Sequence, residues 1–334
     1  MEKSRSGPIS PWARRQQLPS LSAAGAAAAV LLLCLIASLA AQMGILALPA
    51  AAFAGGIFGA LLLLHRTLLA PAAILPIIVA LLLFAADAWS GVWASLCIPL
   101  GFAAAFSVYR GMRCMAASVL GAVSTGIYLT LAGVVHLLCG GLTVREGIRG
   151  GYDALYEMLC AWQIPVPGGR LTVFSPEAAQ VLCDAVIPVF PGCAAAALFL
   201  MGCAVSGIVR VLLRALGAEG DFFPAGWPMR AGKSCAVIWC SAQVLLLLAL
   251  TTPDAQPMYY AVYNTVILFT VPLALSGFSV LMRQFRRAEM LGTLGRIAVA
   301  ALLLMIALAG MYWFMCAAAL YGVYTVFRPD AGGE

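Results

Sequence analysis

The sequence predicts an all-α protein: a polytopic transmembrane helix bundle of about nine spans (eight to nine), with one amphipathic helix in an exterior loop over 140–177. Composition is the first observation behind this. Of 334 residues, 63% are hydrophobic and only 10% are charged, against roughly a quarter charged in water-soluble domains. The second is continuity, because the apolar residues fall in runs of about 18 or more, each able to cross roughly 30 Å of hydrocarbon as a helix. Spanning β-strands alternate apolar and polar residues, and these runs do not. The third is a skew in the placement of Lys and Arg between successive runs.

The chain opens on a basic tail, 1–21, with Lys3, Arg5, Arg14 and Arg15. The apolar stretch from Ala23 to Ala41 that follows resembles a secretory signal. It is long and leads almost at once into another apolar run, so it reads as an uncleaved first span. Spans are expected at 22–42, 44–64, 68–88, 92–109, 114–139, 178–209, 233–252, 257–283 and 296–325. Residues 22–327 then form one transmembrane domain, and 328–334 a short tail. Gly55-x-x-x-Gly59 in the second span permits close helix contact. Residues 178–214 would make a helix roughly 55 Å long. Pro188 and Pro191 are expected to kink it, and Arg210 and Arg214 to mark its exit into water.

The loop over 140–177 carries apolar residues at helical spacing: Val144, Ile148, Leu155, Met158, Leu159 and Trp162. Arg145, Glu146, Arg149, Asp153 and Glu157 occupy much of the remainder. This pattern predicts a helix over 143–162 lying at the outer membrane interface. Pro165-Val166-Pro167-Gly168-Gly169 should end it. Ser175 then reads as an N-cap, with Pro176 at the first helical position and Glu177 favouring the helix dipole. Trp89, Trp93, Tyr259 and Tyr260 fit an outer aromatic belt.

With the N-terminus cytoplasmic, 15 of the 19 Lys and Arg residues fall inside, leaving Arg145, Arg149, Arg170 and Arg328 outside. Asp87, Glu146, Asp153, Glu157, Glu177, Asp254, Asp330 and Glu334 lean the other way. The formal charge of +6 is thereby explained by the lipid bilayer as partner, since basic loops are attracted to an anionic leaflet. No nucleic acid is needed.

Catalytic signals are missing. There is no Gly-x-x-x-x-Gly-Lys-Ser/Thr loop, no Gly-x-Ser-x-Gly elbow and no acidic pair sharing a face. The two histidines, His65 and His136, fall on different sides of the membrane, so no metal and no cofactor is expected. None of the 11 cysteines forms a Cys-x-x-Cys pair, and most serve as small apolar filler. Cys139 and Cys160 flank the exterior loop and could be joined. The chain reads as non-enzymatic.

Polar groups inside the hydrocarbon carry the functional reading, because an unpaired charge there costs several kcal/mol. Asp184 lies one turn before the Pro188/Pro191 break. His136 and Asn264 fall at comparable depth, with Tyr260 and Tyr263 nearby. These five are the candidate ligand-binding residues of an outward-facing pocket. The alternative is that they satisfy one another, or the bent backbone, as structural glue.

The C-terminal third also carries Phe222-Phe223-Pro224, Trp227-Pro228, Asn264, Leu275-Ser276-Gly277-Phe278-Ser279-Val280, and Leu320-Tyr321-Gly322-Val323-Tyr324. In these it resembles the uncharacterised YybS-like family of bacterial polytopic membrane proteins, which distantly resembles the substrate-capture subunits of energy-coupling-factor transporters. The closing segment departs from that pattern by lacking an acidic residue after its final turn. The resemblance implies a multi-pass protein of the bacterial cell (plasma) membrane that captures a small solute. It also implies docking on a coupling subunit with ATPases through Ala37 and Ala41, which have the Ala-x-x-x-Ala spacing. The alternative function is a structural or regulatory scaffold that recruits cytoplasmic partners through basic loops, with Arg283, Arg286 and Arg287 as the docking residues.

Overall fold

The computed structural model describes residues 47–64, 91–92, 95–166, 169–215, 230–252, 256–287 and 311–327. They form eight helices: α1 (Ala47–Leu64), α2 (Cys97–Tyr109), α3 (Cys114–Cys139), α4 (Val144–Ala161), α5 (Pro176–Ala215), α6 (Lys233–Leu250), α7 (Gln256–Arg287) and α8 (Met311–Phe327). One hairpin joins α4 to α5, with β1 (Gln163–Val166) antiparallel to β2 (Gly169–Thr172).

Four segments are long and apolar enough to cross a membrane: Cys114–Cys139, Pro176–Ala215, Lys233–Leu250 and Pro257–Val280. Three further apolar helices are shorter: Pro49–Leu63, Cys97–Tyr109 and Met315–Phe327. A 13-residue helix such as α2 reaches about 20 Å, short of the hydrocarbon thickness. The described residues therefore do not support nine spans. Expected spans 22–42 and 68–88, and residues 296–310 of the last, lie outside them.

The chain divides into two compact units. One draws on Met1–Leu129, Ala197–Ala236 and Thr270–Glu334, the other on Thr130–Ala196 and Val237–Phe269.

In the first unit, α1, α2 and the C-terminal half of α5 bury Phe58, Leu100, Val108, Val205, Val209 and Leu213 together. Glycine sets the approach. A Cβ at Gly59 would lie 2.9 Å from both the Gly101 carbonyl oxygen and Val209 Cγ2. The Gly55/Gly59 pair is thus a helix contact surface, as its spacing suggested. Helix α2 ends at Gly111, whose φ of 63° suits glycine. There Gly111 N–H donates to the Val108 carbonyl (3.0 Å) and Met112 N–H to that of Ser107 (2.8 Å), a paired closure of the helix end. The Met112 carbonyl accepts a hydrogen bond from Arg210 Nη2 at 2.8 Å. Arg210 is only 3% exposed, so the expectation that it marks an exit into water is corrected. Its side chain is buried where it satisfies a turn carbonyl.

The second unit contains α4, the hairpin and the N-terminal halves of α5 and α7. Thr143 caps α4: the Glu146 N–H donates to Thr143 Oγ1 (3.3 Å), and the Thr143 N–H donates to Glu146 Oε2 (2.7 Å). The bond from the Thr143 N–H first, and then one from the Thr143 hydroxyl to the same Oε2 (2.7 Å), hold the Glu146 carboxyl below its ordinary value. Because the folded pKa is depressed, this support is complete above the ordinary Glu range. It is lost as pH falls through the lowered folded value. Thr143→Ala should cost α4 about 1 kcal/mol, read as faster amide exchange over residues 144–148. Acidification of the unaltered protein should speed the same amides.

Tyr152, Leu155, Tyr156 and Leu159 of α4 pack on Ala179 and Cys183 of α5. The hairpin pairs Ile164 with Leu171 and Pro165 with Arg170. Cys139 and Cys160 are free thiols, so the pairing considered for them is not formed. Ser175 Oγ accepts from the Ala178 N–H at 3.2 Å, which makes it the expected N-cap of α5. Helix α5 runs for 40 residues through both prolines. At about 60 Å it is twice the thickness of a bilayer's hydrocarbon layer.

Candidate functional site at the N-terminal half of α5

Proline has no N–H to give to the carbonyl four residues before it. Pro188 and Pro191 therefore deny ordinary helical donors to the carbonyls of Asp184 and Ile187. Just past them, α7 supplies a side chain to the backbone of α5. Asn264 Oδ1 accepts from the Gly192 N–H at 2.7 Å, while Asn264 Nδ2 donates to the Pro188 carbonyl at 2.7 Å. Those two groups are the pair that a regular helix joins directly, so one carboxamide serves both ends of a helical hydrogen bond beside the prolines. Asn264 Nδ2 also donates to the Tyr260 carbonyl at 2.8 Å, which fixes the rotamer along its own helix. Such ties hold apolar helices together where no water competes.

The tie requires glycine at 192. A Cβ there would lie 2.7 Å from Asn264 Oδ1, 2.8 Å from the Asn264 carbonyl oxygen and 2.9 Å from its Cα. At Gly192 the backbone of α5 comes close against that of α7.

Asp184 lies one turn before Pro188, about 6 Å along the axis, and is exposed. The Tyr152 hydroxyl of α4 donates to Asp184 Oδ1 at 3.0 Å. Partial burial, then this hydrogen bond, push the Tyr152 phenol above its ordinary value. It therefore stays protonated and donating at neutral pH. The carboxylate of this exposed residue is thus oriented by a neighbour.

Tyr260 stands one helical turn before Asn264 on the same face of α7. Tyr259 stacks on Tyr263 (ring centroids 5.8 Å apart) and meets Tyr260 edge to face at 5.5 Å. Tyr259 and Tyr263 pack towards Ala242 and Leu246 of α6. His136 lies exposed on the last turn of α3, where its carbonyl accepts the Gly140 N–H at 2.9 Å.

The structure thus sets Asp184 and the Asn264 tie on successive turns of α5 and links Asn264 to Tyr260. It puts Tyr263 in an aromatic stack against α6 and His136 at a separate helix end. Arg283, Arg286 and Arg287 fall in the last turns of α7, whereas Ala37 and Ala41 lie outside the described residues. Tyr152 and Gly192 are absent from the expected set. Tyr152 could have been found from its helical spacing with Leu155 and Leu159. Gly192 carries no signal of its own, since its partner is 72 residues away.

Among the described residues, no group of three His, Cys, Asp or Glu side chains could hold a metal ion. Compared with known proteins, the chain matches no family model, and no curated protein or solved structure is significantly similar to it. Fold and geometry define an α-helical protein with several helices fit to cross a membrane, and the functional reading rests on its own residues.

Proposed function

We propose that the chain is an integral membrane protein that binds or transports a small solute at the exposed end of its second unit. Asp184 supplies the charge for recognition, and the Asn264 tie, linked to Tyr260, fixes the next turn of α5 beside it. One observation carries this reading. The exposed Asp184 carboxylate, oriented by the Tyr152 hydroxyl, belongs to the turn whose Asp184 and Ile187 carbonyls proline has denied their helical donors. A carboxylate beside such carbonyls attracts cationic or donor-rich solutes, so an amine or guanidine compound is the class to expect.

The same proposal takes the protein to be a non-enzymatic, multi-pass component of the bacterial cell membrane with a cytoplasmic N-terminus. The YybS-like resemblance supports a substrate-capture subunit that docks through Ala37 and Ala41 on a coupling subunit with ATPases. Under the rival scaffold reading, neutralising Arg283, Arg286 and Arg287 would disturb function more than changing Asp184.

The test is thermal unfolding of the detergent-purified protein against panels of cationic, neutral and anionic small solutes. A ligand present at 100 times its dissociation constant stabilises by about 2.7 kcal/mol, which shifts the midpoint by several degrees. Selective stabilisation by members of the cationic panel is expected. A flat response to every panel would contradict the solute reading.

A further inference from the structure

We infer that α4 lies along the surface of a phospholipid bilayer, with its apolar stripe in the acyl boundary and Arg145 and Arg149 at the lipid phosphates. The inference rests on the reading that the long apolar helices cross a membrane.

Helix α4 uses only part of its apolar surface for packing on α5. Tyr152, Leu155 and Leu159 face Ala179 and Cys183, whereas Val144 is 68% exposed, Ile148 60% and Met158 56%. At 100° per residue these three fall within about 80° of arc. Trp162, half-exposed at the C-cap, continues the stripe with an indole, the ring enriched where apolar and aqueous layers meet.

The order of charges round the helix is the second observation. Measured from Val144, the middle of the three, Arg145 stands about 100° away and Arg149 about 140°. Asp153, Glu146 and Glu157 stand about 140° to 180° away. Arg145 is the charge nearest the stripe, and the long guanidinium side chains can reach back to phosphates while the shorter carboxylates stay in water.

Continuity with α3 is the third. Val134, Val135 and Leu138 are exposed on its last turns, immediately before the Gly140–Gly141 turn into α4. A Cβ at Gly147 would lie 2.6 Å from Leu137 Cδ2, so the start of α4 is held against the end of α3. The exposed apolar surface of a helix fit to span the membrane therefore passes directly into the stripe of α4. A bilayer covers both surfaces at once.

The photoreactive residue benzoylphenylalanine is placed singly at Ile148, Met158, Asp153 and Val123, all exposed positions, in the full chain. Each protein is reconstituted in phosphatidylethanolamine–phosphatidylglycerol vesicles, irradiated and analysed by mass spectrometry. Phospholipid adducts are expected at 148, 158 and 123 and not at 153. Lipid adducts at 123, with none or only protein adducts at 148 and 158, would overturn the placement of α4 alone. No lipid adduct at 123 would overturn the membrane reading and this inference together. Arg145→Gln with Arg149→Gln should lower the phosphatidylglycerol share of the adducts at 148 by about fivefold. An unchanged share would overturn the role given to the two arginines.

Discussion

Gly192→Val is expected to destabilise the protein by about 3 kcal/mol and to lower the yield of monodisperse protein from membranes. Two of the three atoms that would meet its Cβ belong to the Asn264 backbone, at 2.8 and 2.9 Å. No rotamer change can move them, so α5 and α7 must separate. Separation then breaks the Asn264 bonds to Gly192 and Pro188, each 2.7 Å long. A second glycine in an α-helix supplies the control. Gly150 on α4 has open space where a Cβ would stand, so Gly150→Ala should gain about 0.5–1 kcal/mol from helix propensity. Thermal unfolding in detergent reads both changes. Equal tolerance of the two would contradict the contact at Gly192.

Asp184→Asn is expected to weaken the binding of a cationic solute by roughly 10- to 100-fold, the worth of a hydrogen bond to a charged group. The variant keeps an Oδ1 atom to accept the Tyr152 hydroxyl, so the geometry survives while the charge is lost. Because Asp184 is exposed, the stability of the unliganded protein should move by less than about 0.5 kcal/mol. Loss of ligand stabilisation with an unchanged unliganded midpoint would identify a recognition charge. Full retention of binding would remove Asp184 from the site. Tyr152→Phe should have a smaller effect, since it frees the carboxylate without discharging it.

Much of the helical layout was legible in the sequence because it depends on local pattern. The limits of α3, the Thr143 start of α4 and the Ser175 cap of α5 follow from apolar runs and capping chemistry within a few residues. The Gly55/Gly59 surface was visible for the same reason. What could not be read is what each polar group meets. Asn264 was identified as unusual inside an apolar run, but its partners lie 72 and 76 residues away. Period reveals a face and never its partner. What the structure adds for Asn264 is the pair of backbone groups on α5 that its carboxamide bonds. Arg210 was misplaced because a basic residue near a helix end ordinarily faces water, whereas here a turn carbonyl 98 residues earlier receives it. The hairpin was missed because strands of four residues are too short to display alternation, and the Pro-Gly-Gly sequence signalled only a turn.

Membrane integration is the claim on which all of this depends, and α3 tests it most directly. Only 6% of its apolar window is buried against the rest of the protein, so packing alone cannot shield its backbone from water. Hydrogen–deuterium exchange should therefore be measured over residues 119–135 with the protein in lipid nanodiscs. If α3 crosses the bilayer, these amides will remain protected for hours, because hydrocarbon excludes the water and catalyst that exchange needs. Exchange within minutes, at rates matching the exposed amides of α4, would contradict the account.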